Sequence, residues 1–157
     1  MSSTTHPIPS GVNNLIPYLT CADAPEAIEF YQKAFGAVEL MRIAAVDGKI
    51  MHASLQIGDS MLMLSEEAPE WGSVGPNALG GTPVGIHLYV EDVELAWEQA
   101  VSAGCEVLMP LEDAFWGERF GAVRDPFGHK WSLSMKIRDM TAEEIQAAAM
   151  QMQPVEG

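Results

Sequence analysis

The sequence predicts an α+β chain of two tandem βαβββ modules, and three observations carry that prediction. The stretch 16–23, IPYLTCAD, is echoed 69 residues later by 85–92, GIHLYVED. After each copy the apolar spacing becomes helical, and after each helix it turns strand-like. The same spacing applied to the last strand of each half pairs Met63 with Ser132, so the repeat keeps its register to the end.

The elements follow in order. The first helix carries Ala24, Ala27, Ile28, Tyr31 and Phe35 at the three-and-four spacing of one buried stripe. Asp23, with Glu26 three residues on, is a capping box, and Gly36 stops the helix. Residues 37–45, Ile50–Ile57 and residues 60–65 read as antiparallel strands, turning at Asp47-Gly48 and Gly58-Asp59. The second helix starts near Asp92, repeats the stripe with Val93, Ala96, Trp97 and Ala100, and ends at Gly104. Residues 105–111, 119–124 and 130–137 are its three strands, the last hairpin turning on Asp125-Pro-Phe-Gly128. Residues 67–83 between the modules are rich in Gly and Pro and read as a linker with Trp71 exposed. Thr141 and Glu144 open a final helix with an apolar stripe of Ile145, Ala148, Ala149 and Met152. The organisation expected is a flexible tail over 1–11, one domain over 12–138 (modules 12–66 and 84–138), and a helix and tail over 139–157.

Composition excludes several classes of partner. At 157 residues the chain buries a core without a disulfide or metal staple, and 48% hydrophobic residues rule out disorder. A net charge of −14 repels nucleic acid and anionic lipid. Arg119, Arg124 and Lys130 form the one modest basic concentration, enough for a single anionic ligand. The absence of a signal-like start or a long apolar run points to a cytoplasmic, non-membrane protein. Cys21 and Cys105 have no paired spacing and read as buried thiols. No GxSxG, HExxH, Walker or GxGxxG pattern occurs.

Phe30-Tyr-Gln-Lys-Ala-Phe-Gly36 resembles the helix signature of the vicinal-oxygen-chelate superfamily, which includes glyoxalase, bleomycin-resistance and dioxygenase proteins. Phe115-Trp-Gly-Glu-Arg-Phe-Gly121, Arg124-Asp-Pro-Phe-Gly-His-Lys-Trp-Ser-Leu133 and Gly80-Gly-Thr-Pro83 look like its PhnB-like branch. The resemblance spans roughly residues 12–138. It implies curved mixed sheets around a small-molecule cavity, and a homodimer. Metal-dependent relatives carry His or Glu at four inward positions; matched by motif, these fall on Ile16, Met63, Gly85 and Ser132, none of them a ligand for such an ion.

Side chains alternate across a strand, so candidate cavity residues sort by parity. Ile16, Tyr18 and Thr20, then Gly85, His87 and Tyr89, then Lys130, Ser132 and Ser134 take the open face, while Leu15, Pro17 and Leu19 cover the helix. His52 with Ser54 and Gln56 projects from the third strand. His52 and His87 read either as hydrogen-bonding pocket histidines or, with an unlocated carboxylate, as a shifted divalent-metal site. Trp116 and Arg119 suit a planar or anionic ligand; the other reading is a Trp plugging an edge and an Arg paired with Glu112, Asp113 or Glu118. The expected ligand set is therefore Tyr18, His52, Gln56, His87, Tyr89, Trp116, Arg119 and Ser132. His129 is assigned to turn scaffolding and His6 to the tail. The leading expectation is a small-molecule binder lacking the metal quartet, sequestering a toxic or antibiotic-like compound. A metal-dependent lyase, isomerase or dioxygenase is the alternative, and an interaction module without a ligand the third; no residue advertises a nucleophile or general base.

Overall fold

A computed structural model describes residues 5–152. The chain folds as two compact units that divide between Gly81 and Thr82. The outermost parts of the tails expected over 1–11 and 139–157 lie outside the described residues.

The first unit contains strand β1 (Tyr18–Cys21), helix α1 (Ala24–Phe35) and strands β2 (Val38–Ala44), β3 (Ile50–Ile57) and β4 (Ser60–Glu66). The sheet order is β1-β4-β3-β2, with β1 parallel to β4 and the other pairs antiparallel. Helix α1 forms where the apolar stripe predicts it. The Asp23 side chain accepts from the Glu26 N–H at 3.2 Å, and Gly36 closes the helix at φ 68°, a left-handed conformation that glycine adopts without penalty. Its inner face buries Ala24, Ala27, Ile28, Tyr31 and Ala34 against Leu55, Leu62 and Leu64 of the sheet.

One expectation fails in this unit. Leu15 was assigned to the helix-covering face, yet it is 89% exposed, and the strand starts only at Tyr18. Pro17 has no N–H to extend the ladder, although its carbonyl still accepts from the Met63 N–H at 3.0 Å. Within residues 67–83 the chain makes a 3₁₀ turn (Pro69–Trp71), a short helix α2 (Pro76–Leu79) and an Ala68–Ser73 bridge. Trp71 is 85% exposed, as expected. Glu66, the last residue of β4, fastens two elements together: one carboxylate oxygen accepts from the Ala24 N–H at 2.9 Å, the other from the Ile50 N–H at 3.0 Å. A negative charge at a helix start also meets the positive end of the helix dipole.

The second unit repeats the plan with β5 (Gly85–Tyr89), α3 (Val93–Ala103), β6 (Glu106–Asp113), β7 (Glu118–Arg124) and β8 (Lys130–Lys136), in sheet order β5-β8-β7-β6. Again the first and last strands pair in parallel. Tyr18 stands opposite Met63 in one sheet and His87 opposite Ser132 in the other, so the repeat read from the sequence is a repeat of backbone register. Asp92 caps α3 by accepting from the Leu95 N–H at 3.1 Å. Val93 and Ala100 are fully buried on its inner face, and the Trp97 ring lies directly over Gly121 of β7. The last hairpin turns at Gly128, φ 92°, around the buried Asp125 carboxylate. That carboxylate accepts from the Phe127 and His129 N–H groups and from the indole of Trp131. Helix α4 (Ala142–Gln151) begins at Thr141, whose hydroxyl accepts from the Glu144 N–H; none of its residues is fully buried.

Candidate functional site

Each sheet has one face under its helix and one open face, and both open faces carry a histidine held between hydroxyl groups. In the first unit His52 projects from β3. Its Nδ1 lies 2.8 Å from the Tyr18 hydroxyl on β1, and its Nε2 lies 3.0 Å from the hydroxyl of the buried Ser54. Gln56 shares the parity of His52 and Ser54 but turns to the hairpin, where its amide donates to the Gly58 carbonyl at 3.1 Å.

In the second unit His87 projects from β5. Its Nδ1 is 2.6 Å from the Ser132 hydroxyl and its Nε2 is 2.9 Å from the Ser134 hydroxyl, both on β8. Ser134 has no exposed surface, so its hydroxyl depends on such a partner. Neutral imidazole has one donor and one acceptor nitrogen; each hydroxyl can rotate to complement either tautomer. Both histidines thus sit in hydroxyl–imidazole–hydroxyl chains.

Around His87 the rings run in a continuous strip. Tyr89 meets it edge-on at 4.7 Å between centroids, Phe120 stacks on it at 6.0 Å, and Trp116 meets Phe120 edge-on at 5.5 Å. Glu118 closes the strip. Its carboxylate accepts from the Trp116 indole N–H at 2.6 Å and from the Tyr89 hydroxyl, which holds that phenol above its ordinary pKa of 10.0. A partial loss of hydration adds to the shift, while Ser134 and Lys136 work against it.

The structure separates Trp116 from Arg119. Trp116 joins the open-face strip, but Arg119 shares the parity of Gly121 and Val123, the side under α3. There its Nη1 donates to Asp113 at 2.9 Å. Its Nε lies 2.8 Å from a Glu94 oxygen, an ion-pair contact without the alignment of a hydrogen bond. The two carboxylates hold the guanidinium and compensate its charge. Of the expected set, Tyr18 and His52 come together in the first unit, and His87, Tyr89, Trp116 and Ser132 in the second. The reading from sequence missed Glu118 and Phe120. Strand parity could have found Phe120, two residues from Ala122, which stands opposite Ser132. Nothing in the sequence shows that Glu118 bonds to Tyr89, because that contact joins β7 to β5; Trp116 lies only two residues away in the preceding turn.

The residues present do not form the ion site of metal-dependent relatives. Ile16, Met63 and Gly85 offer no donor side chain for a hard ion, and the Ser132 hydroxyl is occupied by His87. Among the described residues no three His, Cys, Asp or Glu side chains gather to hold a metal. No described helix is long and apolar enough to cross a membrane.

Two four-stranded mixed sheets, each the product of one βαβββ module, define the class: the chain belongs to the Glyoxalase/Bleomycin resistance protein/Dioxygenase superfamily, whose model matches residues 12–133. Among its relatives is an uncharacterized protein of Mycobacterium bovis, 49% identical over 137 residues that cover 85% of this chain and 90% of the relative. Among solved structures it is similar to TioX from Micromonospora sp. ML1, with 28% identity and a TM-score of 0.64 over 79% of this chain and 98% of that one. A PhnB protein from Bacillus cereus, described as a putative 3-demethylubiquinone-9 3-methyltransferase, shares the fold. Its TM-score is 0.61 at 19% identity, covering 78% of this chain and 99% of that one.

Proposed function

We propose that the protein binds a planar small molecule on the open face of its second module, without the four-donor ion site of metal-dependent relatives. The observation that carries the reading is the unbroken ring strip Trp116–Phe120–His87–Tyr89, bordered by the Ser132 and Ser134 hydroxyls and the Glu118 carboxylate. Such a strip offers both ring faces and ring edges to a planar ligand, each ring pair worth about 0.5–1.5 kcal/mol beyond area burial. The Glu118 carboxylate and the Ser132 hydroxyl, which keep acceptor capacity beyond their protein partners, orient the ligand.

Arg119, paired with Asp113 and Glu94 under α3, brings no positive charge to the strip, and Lys136, whose charge reaches Tyr89, is itself paired with Asp139. The ligand class is therefore neutral or weakly cationic, and the biological role we favour is sequestration of a toxic or antibiotic-like aromatic compound in the cytoplasm. A homodimer is part of the same proposal. It is supported by the apolar side chains Val38, Met41 and Ile43 left exposed on the edge strand β2.

A panel of neutral planar aromatics, screened by thermal shift with and without EDTA, tests the reading. The expected result is a raised melting temperature that EDTA leaves intact and Phe120→Ala abolishes. Stoichiometric metal in the untagged protein, lost in His87→Ala, would instead establish a metal-assisted lyase, isomerase or dioxygenase. No shift with any member of the panel would favour an interaction module.

A further inference from the structure

The turn that carries Trp116 is held from outside its own hairpin. Residues 114–117 link β6 to β7. Two bonds close the turn on itself: the Ala114 N–H donates to the Glu118 carbonyl at 2.7 Å, and the Gly117 N–H donates to the Ala114 carbonyl at 3.3 Å. The second is long for an N–H···O bond. The chain beyond β8 supplies two more, as the Ile137 and Arg138 N–H groups both donate to the Gly117 carbonyl, at 2.9 and 3.2 Å.

Gly117 is buried at φ 88°, a left-handed conformation that disfavours any side chain. The space above it is also taken. A Cβ there would stand 2.8 Å from the Arg138 carbonyl oxygen and 3.1 Å from the Met140 sulfur. The Arg138 Nε donates to that sulfur at 3.3 Å, which helps to hold the half-buried thioether against the turn. Lys136 pairs with Asp139, and its charge reaches Tyr89 at the far end of the ring strip. Trp116 itself is only half-buried, so its edge-on contact with Phe120 depends on the turn rather than on an enclosing core.

We infer that residues 137–140 are a strap that positions Trp116 for ligand binding, gripping the turn by the Gly117 carbonyl and closing over it with the Met140 thioether. Gly117 and Met140 are positioning residues that act through Trp116. The effect on the ligand rests on the ring-strip reading above; the effect on Trp116 rests on the turn geometry alone.

Full-length Met140→Ala and Met140→Leu test the strap, with Gly117→Ala as a second way of disturbing it. Acrylamide quenching of Trp116 is read as the difference between each chain and the same chain carrying Trp116→Phe. Affinity for the neutral probe N-phenyl-1-naphthylamine is measured alongside. Met140→Ala is expected to make Trp116 more quenchable and to weaken the probe by about two- to tenfold, the range that loss of one ring pair represents. Met140→Leu, which conserves volume, should restore both. In the Trp116→Phe background the emission of the other tryptophans should not respond to Met140→Ala. The inference is overturned if Trp116 quenching is unchanged in both Met140→Ala and Gly117→Ala, or if the other tryptophans loosen equally, which marks a general structural role. A more quenchable Trp116 with undiminished probe affinity refutes the link to the ligand. If the wild type binds no probe, the ring-strip reading falls, and quenching alone decides whether the strap positions Trp116.

Discussion

The Trp97 ring occupies the space that a side chain on Gly121 would need: a Cβ there would stand 2.5 Å from one ring carbon and 2.7 Å from the next. Helix α3 thus approaches β7 through the one residue type that leaves room for an indole. Gly121→Ala should destabilise the protein by about 1–3 kcal/mol through overpacking. Urea denaturation measures the loss, and Trp97→Leu in the same chain should recover part of it, since the two positions are in contact. A neutral Gly121→Ala would show that the α3–β7 approach is looser than described.

The Asp125 carboxylate is 2% exposed and anchors the last hairpin through Phe127, His129 and Trp131. Asp125→Ala leaves buried N–H groups without their acceptor and should cost about 3 kcal/mol or more. The Trp131 fluorescence maximum should shift as its indole loses the carboxylate; an unchanged melting temperature would contradict this role.

Glu118→Gln should lower the Tyr89 pKa towards the ordinary phenol value, because the carboxylate that accepts its proton is the largest cause of the raised value. Tyrosinate absorbance, with Tyr89→Phe to assign the transition, reads the change. The sign for stability follows. A phenol with a raised folded-state pKa contributes in full below the unfolded value of about 10, and that contribution fades as pH rises through the folded value. Wild type should therefore lose its advantage over Glu118→Gln only in alkali. Exposure of Tyr89 to solvent keeps the effect small.

Burial, assisted by the nearby Asp125 charge, pushes the Cys105 thiol up to about 12, and Cys21 is fully enclosed. Since the thiolate is the reactive form, neither cysteine should react with a disulfide reagent at about pH 8 until the chain unfolds. Rapid labelling of one thiol in the native protein would count against both burial and the raised value.

Much of the architecture is legible from spacing alone. The caps at Asp23, Asp92 and Thr141 and the stops at Gly36 and Gly104 all lie where local chemistry puts them. The errors arise where a local rule meets a non-local one. The alternation that assigned Leu15 to the helix side ran past Pro17, where strand pairing ends. Arg119 reads from the sequence either as a pocket cation or as the partner of Glu112, Asp113 or Glu118; the Asp113 pairing of the second reading forms, joined by Glu94, because Arg119 lies on the side of β7 opposite Glu118 and Phe120, under α3.

By itself the sequence determined the duplicated module, its register and the absence of ligating side chains at Ile16, Met63 and Gly85, because periodicity and residue type are local properties. Only the tertiary structure decided that the Tyr18 hydroxyl reaches His52, that His87 is held between Ser132 and Ser134, that Glu118 bonds to Tyr89, and that Arg119 turns under α3. Those contacts join different strands or a strand to a helix, and side-chain spacing along one strand carries no record of them.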